Sequence, residues 1–463
     1  MHLLQSRYKI ENKSLRYYGL RNKDNMFKNV IKLNNKQLCI IKSLPKELTN
    51  EELKVLGKKL IDVVVVKEED YKKVPTSLKE AHFCKNCCAN DFIIPGLEFD
   101  ENGLCPMCQS KDDTKRMKAV VPILNDIPKS KKSRFDIALF YTGGKDSTFL
   151  LYYLSKIKNL RVLALTWEIP YMSLSAKLSI EGAKKSFDKV EFISRKVDNE
   201  SLKKIYSKLY KLSGNTCACP SLAYVLFYEI LVDEKIPYFV AGNEPVQMKG
   251  LYYNHMAPKI AYKFGNNTFL NVLISLGRIL TLHPPLEKGQ IQTLLTMKQL
   301  AYGDNVFKKL AGYQNDLVSN VCKAIKDVPS ILKPLKRAIR RSSWSGNIPS
   351  FIQVDLNDVS SGNYDWRKVK DILAKECGYV APSNINKGLH TSCQIEKCKE
   401  YSQFIRFYKM ESTMIPFSSL EISLASRDGN ITREEGIKEI EESLGFSLKE
   451  VDECKIMKDY FQK

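Results

Sequence analysis

Two short stretches of this chain carry residue types at spacings that can do chemistry. The first is Thr142-Gly143-Gly144-Lys145-Asp146-Ser147. Paired glycines let a backbone turn tightly and approach a ligand with no Cβ in the way. If a helix opens here, its first amides are unpaired and point outward, and together with the helix dipole they favour an anion. Thr142 and Ser147 add hydroxyl donors, and Lys145 adds positive charge. Asp146 alone would repel a phosphate, so it makes sense as a holder of Mg²⁺ bound to that phosphate. The GxxxxGK[ST] pattern of a Walker A loop is absent. The plainer alternative is a strand–turn–helix that uses glycine for geometry only. The coincidence of strand, glycine pair, hydroxyls and acid weighs against it.

The second stretch is a cysteine framework. Cys84-x2-Cys87 is followed, after seventeen intervening residues, by Cys105-x2-Cys108. Each pair can form a knuckle, and two knuckles give a tetrahedral four-thiolate zinc site. Free thiols or an iron–sulfur cluster are the alternatives, and Cys88 is a spare that could displace Cys87. Four thiolates close the coordination shell and leave no position for water, so such a site contributes folding energy and no chemistry.

The elements that must position these residues are legible from the apolar pattern. FDIALFY, just before the glycine loop, is a short apolar run suited to a buried parallel strand. STFLLYYLSKIKNL follows with helical spacing. Arg161–Trp167, Lys189–Val197 and Ile236–Gly242 read as further strands, separated by helices around Ser179–Phe187 and Leu222–Leu231. This alternation implies an α/β fold with a doubly wound parallel sheet. The chain divides into a small α/β segment at 1–80, the four-cysteine ribbon and a basic linker at 81–132, the nucleotide domain at 133–300 and a mostly helical region at 301–463. Within 1–80, Gln37–Leu44 and Leu60–Lys67 read as strands, with a helix between them capped by Thr49 and Glu52. Phe269–Leu282 reads as a buried helix, too short for a membrane span and interrupted by Arg278. Thr432 and Glu435 form a capping box on a terminal amphipathic helix.

The six residues TGGKDS closely resemble the SGGxDS signature of the PP-loop ATP pyrophosphatases. That resemblance implies a HUP-like fold in which Thr142, Gly143, Gly144, Asp146 and Ser147 grip the pyrophosphate portion of ATP with Mg²⁺. Lys145 and Asp146 become the loop's candidate catalytic residues. Thr166, with Trp167, would meet adenine at the end of the second strand, and Gly242-Asn243-Glu244 would form a second ligand-facing motif. CKNCCANDFIIPGLEFDENGLCPMC and Ser426–Glu435 (SRDGNITREE) are more specific. They resemble two motifs of the N-acetyl sugar amidotransferases, the second written VRxGxITREEA. Members of that family make an acetamidino sugar for surface polysaccharide, using ammonia from separate glutaminase subunits. The likeness runs from about residue 82 to 440, is patchy between Leu251 and Tyr379, and has no counterpart for residues 1–80.

A rival reading comes from Cys217 and Cys219, placed at the start of a helix where a thiol pKa falls. Cys377, Cys393 and Cys398 follow, with His390 beside Cys393. A thiolate could carry a persulfide, or three could hold an iron–sulfur cluster. The enzyme would then be a sulfur transferase acting on tRNA or an amide. Small residues packed at a helix start are the alternative. His255 and His283 read as structural.

Composition bounds these readings. With 463 residues, 44% of them hydrophobic, the chain suits several packed domains and not a disordered protein. No export segment or membrane span is visible, which places the protein in the cytoplasm, and thirteen cysteines there point to metal or thiol chemistry. The net charge of +21 suits a polyanionic ligand or a merely solvated surface. Lys333–Arg341 is the dense basic cluster and reads as a solvated helix. A nucleic-acid-binding ribbon protein with an inactive nucleotide domain is a third class, disfavoured by the intact Asp146 and Ser147.

Overall fold

The computed structural model describes residues 1–26, 28–109, 127–219, 221–254, 268–287, 289–303, 316–362, 364–382, 393–442 and 445–462. Most of the basic linker, His255 and His390 lie outside them. The chain forms two compact units, and neither is continuous in sequence. One contains Met1–Asp113 and Glu400–Glu450, the other Thr114–Lys399 and Val451–Lys463.

In the first unit, β1 (His2–Leu4) pairs antiparallel with β5 (Val65–Lys67). A meander of β2 (Tyr8–Glu11), β3 (Ser14–Tyr17) and β4 (Val30–Lys32) lies beside them in sequence. Two expectations change here. Gln37–Leu44 is not a strand, because Asn35–Lys42 is a helix opened by a full capping box between Asn34 and Gln37. Of Leu60–Lys67, only the last three residues are strand. The helix Asn50–Leu56 carries the expected Thr49–Glu52 box. Leu15, Ile41, Leu56 and Val64 close the core over these elements. Arg7 ties this module to the returning chain. Its buried guanidinium donates to the Tyr18, Phe407 and Tyr408 carbonyls at 2.6, 2.8 and 2.6 Å. Burial lowers its pKa to about 10.

The second unit is built on five parallel strands: β6 (Ile137–Phe140), β7 (Val162–Trp167), β8 (Val190–Arg195), β9 (Tyr238–Asn243) and β10 (Ser350–Asp355). Their order is β10-β9-β6-β7-β8, so the winding reverses between β6 and β9. Ligands of open α/β sheets bind outside the carboxyl ends at such a reversal. The region expected to be mostly helical from 301 therefore supplies one strand, β10. Its alternating burial marks it as the sheet's edge, while β6 and β7 are buried throughout.

The helix Thr268–Leu280 overturns another expectation. It is apolar but not buried: Phe269 is 72% exposed and Leu280 85%, with Val272, Leu273, Leu276 and Ile279 also exposed. Arg278 turns the other way and donates to the Pro284 and Ser343 carbonyls at 2.8 and 2.7 Å. The basic helix Pro329–Ser345 is partly neutralised, since Arg337 and Arg341 approach Glu229 and Arg341 pairs with Asp233 at 2.7 Å. Thr432 and Glu435 do form a capping box, on the helix Arg433–Glu442, but a further helix, Glu453–Gln462, follows it. That last helix packs Tyr460 on Tyr171 and Tyr206 at 5.5 and 5.9 Å between ring centres.

A close approach holds the helices Leu174–Ser186 and Trp366–Cys377 in register. A Cβ on Gly182 would sit 2.2 Å from the Gly378 carbonyl oxygen. Gly182→Ala is expected to lower stability by about 1–3 kcal/mol in urea unfolding, as overpacking does. Gly277→Ala, where a Cβ meets nothing within 4 Å, serves as the contrast and should not destabilise.

Candidate functional site

The glycine loop leaves the carboxyl end of β6 and opens the helix Lys145–Tyr152. Gly143 has φ +70°, and a Cβ there would lie 2.4 Å from the Ala176 carbonyl oxygen, so glycine is required twice over. The loop is stitched from inside. Ser147 Oγ lies 3.2 Å from Thr142 Oγ1 and accepts from the Thr142 amide at 3.2 Å. It also donates to the Gly144 carbonyl at 3.1 Å. Gly144 is the N-cap and no side chain caps the helix, which leaves the first-turn amides for an anion.

Lys145 does not reach outward toward that anion site. Its side chain is buried, and its ammonium donates to Asp146 Oδ1, to Glu244 Oε1 at the end of β9, and to the Tyr364 hydroxyl at 2.5 Å. Tyr364 in turn donates to the same two carboxylates at 3.1 and 3.2 Å. Burial alone would lower the Lys145 pKa, but Asp146 and Glu244 outweigh it and hold the ammonium charged above its ordinary range. Glu244 is raised, first by burial and then by repulsion from Asp146, while Lys145 opposes both. One cation thus serves two carboxylates across the point where the sheet reverses.

The remaining loop partners are positioners. Thr166 is buried, and its hydroxyl donates to the Tyr141 carbonyl at 2.9 Å, tying the end of β7 to the start of the loop. Gly242 lets β9 come close, since a Cβ there would be 3.3 Å from the Asp146 carbonyl oxygen. Beside them, a cavity of about 500 Å³ opens at the ends of β7 and β8. Thr166, Glu168, Lys177, Lys184, Ser194 and Lys196 line it. Its volume is in the range of small-ligand pockets. The helix Leu174–Ser186, which touches Gly143, forms one wall.

Cys217 and Cys219 share no hydrogen bond or ion pair with the loop among the described residues. Burial raises both thiols, the opposite of the lowering expected at a helix start. The His283 ring lies 4.6 Å from that of Trp344.

Two residues went unseen in the sequence. Tyr364 follows β10 within a stretch that reads as a turn. Asp355 ends β10, where burial first, and then Asp358, lift its carboxyl to about 6 against the pull of the Asn357 amide and Lys249. Neither residue carries a motif, and both depend on β10 joining the sheet.

In the other unit, the sulfurs of Cys84, Cys87, Cys105 and Cys108 all lie within 4.8 Å of one another, a set that could hold a metal ion. Backbone amides two residues on donate to the first pair: Asn86 N to Cys84 Sγ and Ala89 N to Cys87 Sγ, both at 3.5 Å. Cys88 is not part of the set. Its thiol turns away and donates to the Ile422 carbonyl at 3.4 Å. The second motif of the resemblance covers this ribbon. Arg427 donates to the Met107 carbonyl at 2.9 Å and Arg433 to that of Cys84 at 3.2 Å. Gly436 is glycine because Cys88 Sγ lies 2.7 Å from where its Cβ would be.

No protein-family model matches the chain, and no curated protein matches it.

Two outcomes follow from this geometry. Cys84→Ser or Cys105→Ser should release about one tightly held metal ion per chain, while Cys88→Ser retains it, as measured by elemental analysis. Asp355 binds its proton more tightly folded than unfolded, so between roughly pH 4 and pH 6 stability falls as pH rises. Asp355→Asn should therefore stabilise the protein by about 1–3 kcal/mol at pH 8 and have little effect at pH 4, read from urea unfolding at the two pH values.

Proposed function

We propose that the chain is an ATP-consuming enzyme that adenylates a carbonyl or amide oxygen of an acceptor so that ammonia can replace that oxygen. The observation that carries this reading is the Asp146 carboxylate. Lys145 and Tyr364 hold it at the opening of an uncapped helix, at the reversal of a parallel sheet. In this reading the acceptor oxygen attacks the α-phosphorus of ATP, the bond to the β-phosphate oxygen breaks, and pyrophosphate leaves. Ammonia then attacks the activated carbon, the C–O bond to AMP breaks, and AMP departs with its electron pair while nitrogen loses a proton.

The loop amides and the hydroxyls of Thr142 and Ser147 bind and orient the departing pyrophosphate. Asp146 would hold Mg²⁺, whose charge offsets that of the pyrophosphate. Thr166 keeps the end of β7 fixed to the loop, and the neighbouring cavity suits the adenosine portion. Zn²⁺ suits the four-thiolate ribbon and would act only structurally. The acceptor of choice is an N-acetyl sugar, as its nucleotide derivative, in surface polysaccharide synthesis, with ammonia delivered by separate glutaminase subunits. What supports that choice is the pair of motifs at 84–108 and 426–435, which pack on each other.

A sulfur transferase using Cys217 and Cys219, with tRNA or an amide as acceptor, is the second reading. Burial, which raises both thiols, weighs against it.

Asp146→Ala is expected to abolish pyrophosphate release while circular dichroism and ribbon metal stay unchanged. Turnover equal to wild type would sink the role given to Asp146. Supplying candidate acceptors with ammonia or with sulfide, and weighing the product, separates NH-for-O from S-for-O exchange.

A further inference from the structure

Two helices that contribute nothing to the glycine loop or the ribbon, Thr268–Leu280 and Pro329–Ser345, carry a concentration of exposed apolar and cationic side chains. At about 100° per residue, Phe269, Val272, Leu273, Leu276, Ile279 and Leu280 fall within an arc of about 120° on the first helix. All six are more than half exposed. An apolar stripe of that width ordinarily faces a core. Here it faces water, because the opposite side is pinned. Arg278 lies across the helix from the stripe and donates to the Pro284 and Ser343 carbonyls at 2.8 and 2.7 Å. The chain beyond is held as well, since a Cβ on Gly346 would sit 2.7 Å from Pro284 Cγ. The helix cannot roll its stripe inward without pulling Arg278 from its partners.

A second observation comes from the neighbouring helix and is of a different kind. Lys333, Lys336, Arg340 and Trp344 follow one another at intervals of three or four residues, so they share one side of the helix Pro329–Ser345. Arg337 and Arg341 turn instead to Glu229 and Asp233. Among the described residues, no acidic group pairs with Lys333, Lys336 or Arg340. Trp344 ends this cationic line and is 63% exposed, with its ring 4.6 Å from that of His283. Leu282, just before His283, is 84% exposed. The apolar stripe and the cationic line therefore meet at Trp344, where Arg278 joins the two helices through Ser343.

We propose that these two helices form a docking surface for an anionic lipid bilayer. The chemistry of the two stripes selects that occupant. Phe and Leu side chains along one face of a helix lying flat in the headgroup region reach the acyl boundary, and Trp sits well where one end of a ring is apolar and the other wet. Lysine and arginine beside them meet lipid phosphate. A second copy of the chain would bring another net charge of +21 against the first, which opposes self-association. Protein interfaces are depleted in lysine, which favours lipid over an acidic protein as the anion. The helix Thr268–Leu280 is about 20 Å long, short of the ~30 Å hydrocarbon core, so it lies on the bilayer and does not span it. The proposal is independent of the acceptor and of the ATP chemistry.

The test reads binding, not turnover. The full chain is floated with vesicles of phosphatidylcholine, or of phosphatidylcholine mixed with phosphatidylglycerol, and the bound fraction is measured. Wild type should bind the mixed vesicles at least several-fold better than the neutral ones, and added salt should weaken that binding. Trp167 and Trp366 are buried, so a blue shift of tryptophan emission on binding reports Trp344, and Trp344→Phe should remove it. Leu273→Glu and Leu276→Glu should each abolish binding, and Lys333→Glu combined with Arg340→Glu should reduce it several-fold. Val63→Glu, a charge placed on an exposed apolar position of the other unit, should leave it unchanged. Unchanged circular dichroism restricts the comparison to folded variants. No binding by wild type, equal binding to neutral vesicles, binding without an emission shift, or full binding by Leu273→Glu would each overturn the proposal. So would a dimer or a complex with an acidic protein that Leu273→Glu dissociates while vesicles leave the wild-type emission unmoved.

Discussion

A single buried ammonium, that of Lys145, ties together the carboxyl end of the sheet. It lies between the carboxylates of Asp146, on the loop that leaves β6, and Glu244, at the end of β9. These are the strands between which the winding reverses, so the ion pair closes the crevice that the topology opens. Breaking a buried pair by removing one partner typically costs about 3–5 kcal/mol, because the other charge is left uncompensated. Here one cation answers two anions, so the deficit without it would be larger in charge though shared with the Tyr364 hydroxyl. Lys145 is therefore better described as the residue that positions Asp146 than as a phosphate ligand.

The ribbon plays the corresponding part in the other unit, with cysteine sulfurs in place of carboxylates. Its four sulfurs are gathered tightly, and residues more than 300 positions away cover it. Ser419 donates to the Ile93 carbonyl at 2.8 Å, and the Gly436 backbone passes close enough to Cys88 to exclude any side chain. This explains why a glycine is needed inside a helix, where it ordinarily destabilises by about 1 kcal/mol relative to alanine.

How much of this was legible depended on whether the signal was local. The strands at 137–140, 162–167 and 238–243 announce themselves because central parallel strands are apolar on both faces. The cysteine spacing and the glycine loop are local patterns and were readable for the same reason. β10 was missed because an edge strand alternates, and six residues of alternation after a polar turn carry little information. With β10 went Asp355 and also Tyr364, which meets Lys145 across a separation of 219 residues. Gln37–Leu44 was misread because a short apolar run fits either period, and the decisive Asn34–Gln37 cap precedes it. In Phe269–Leu282 composition indicated burial, but the direction a helix faces is set by its neighbours. Here Arg278 turns inward and the leucines outward.

The discontinuity of the ribbon's unit bears on how the chain is made. Met1–Asp113 leaves the ribosome first, yet its remaining part, Glu400–Glu450, follows only after the whole parallel sheet has been synthesised. At about 5–20 residues per second that interval is tens of seconds. Throughout it, the surface formed by Cys88 and Ile93 lacks the segment that finally seals it. A nascent chain in this condition exposes apolar surface and thiols together, and early capture of a metal ion by Cys84, Cys87, Cys105 and Cys108 would hold the half-built unit in a shape the late segment can recognise.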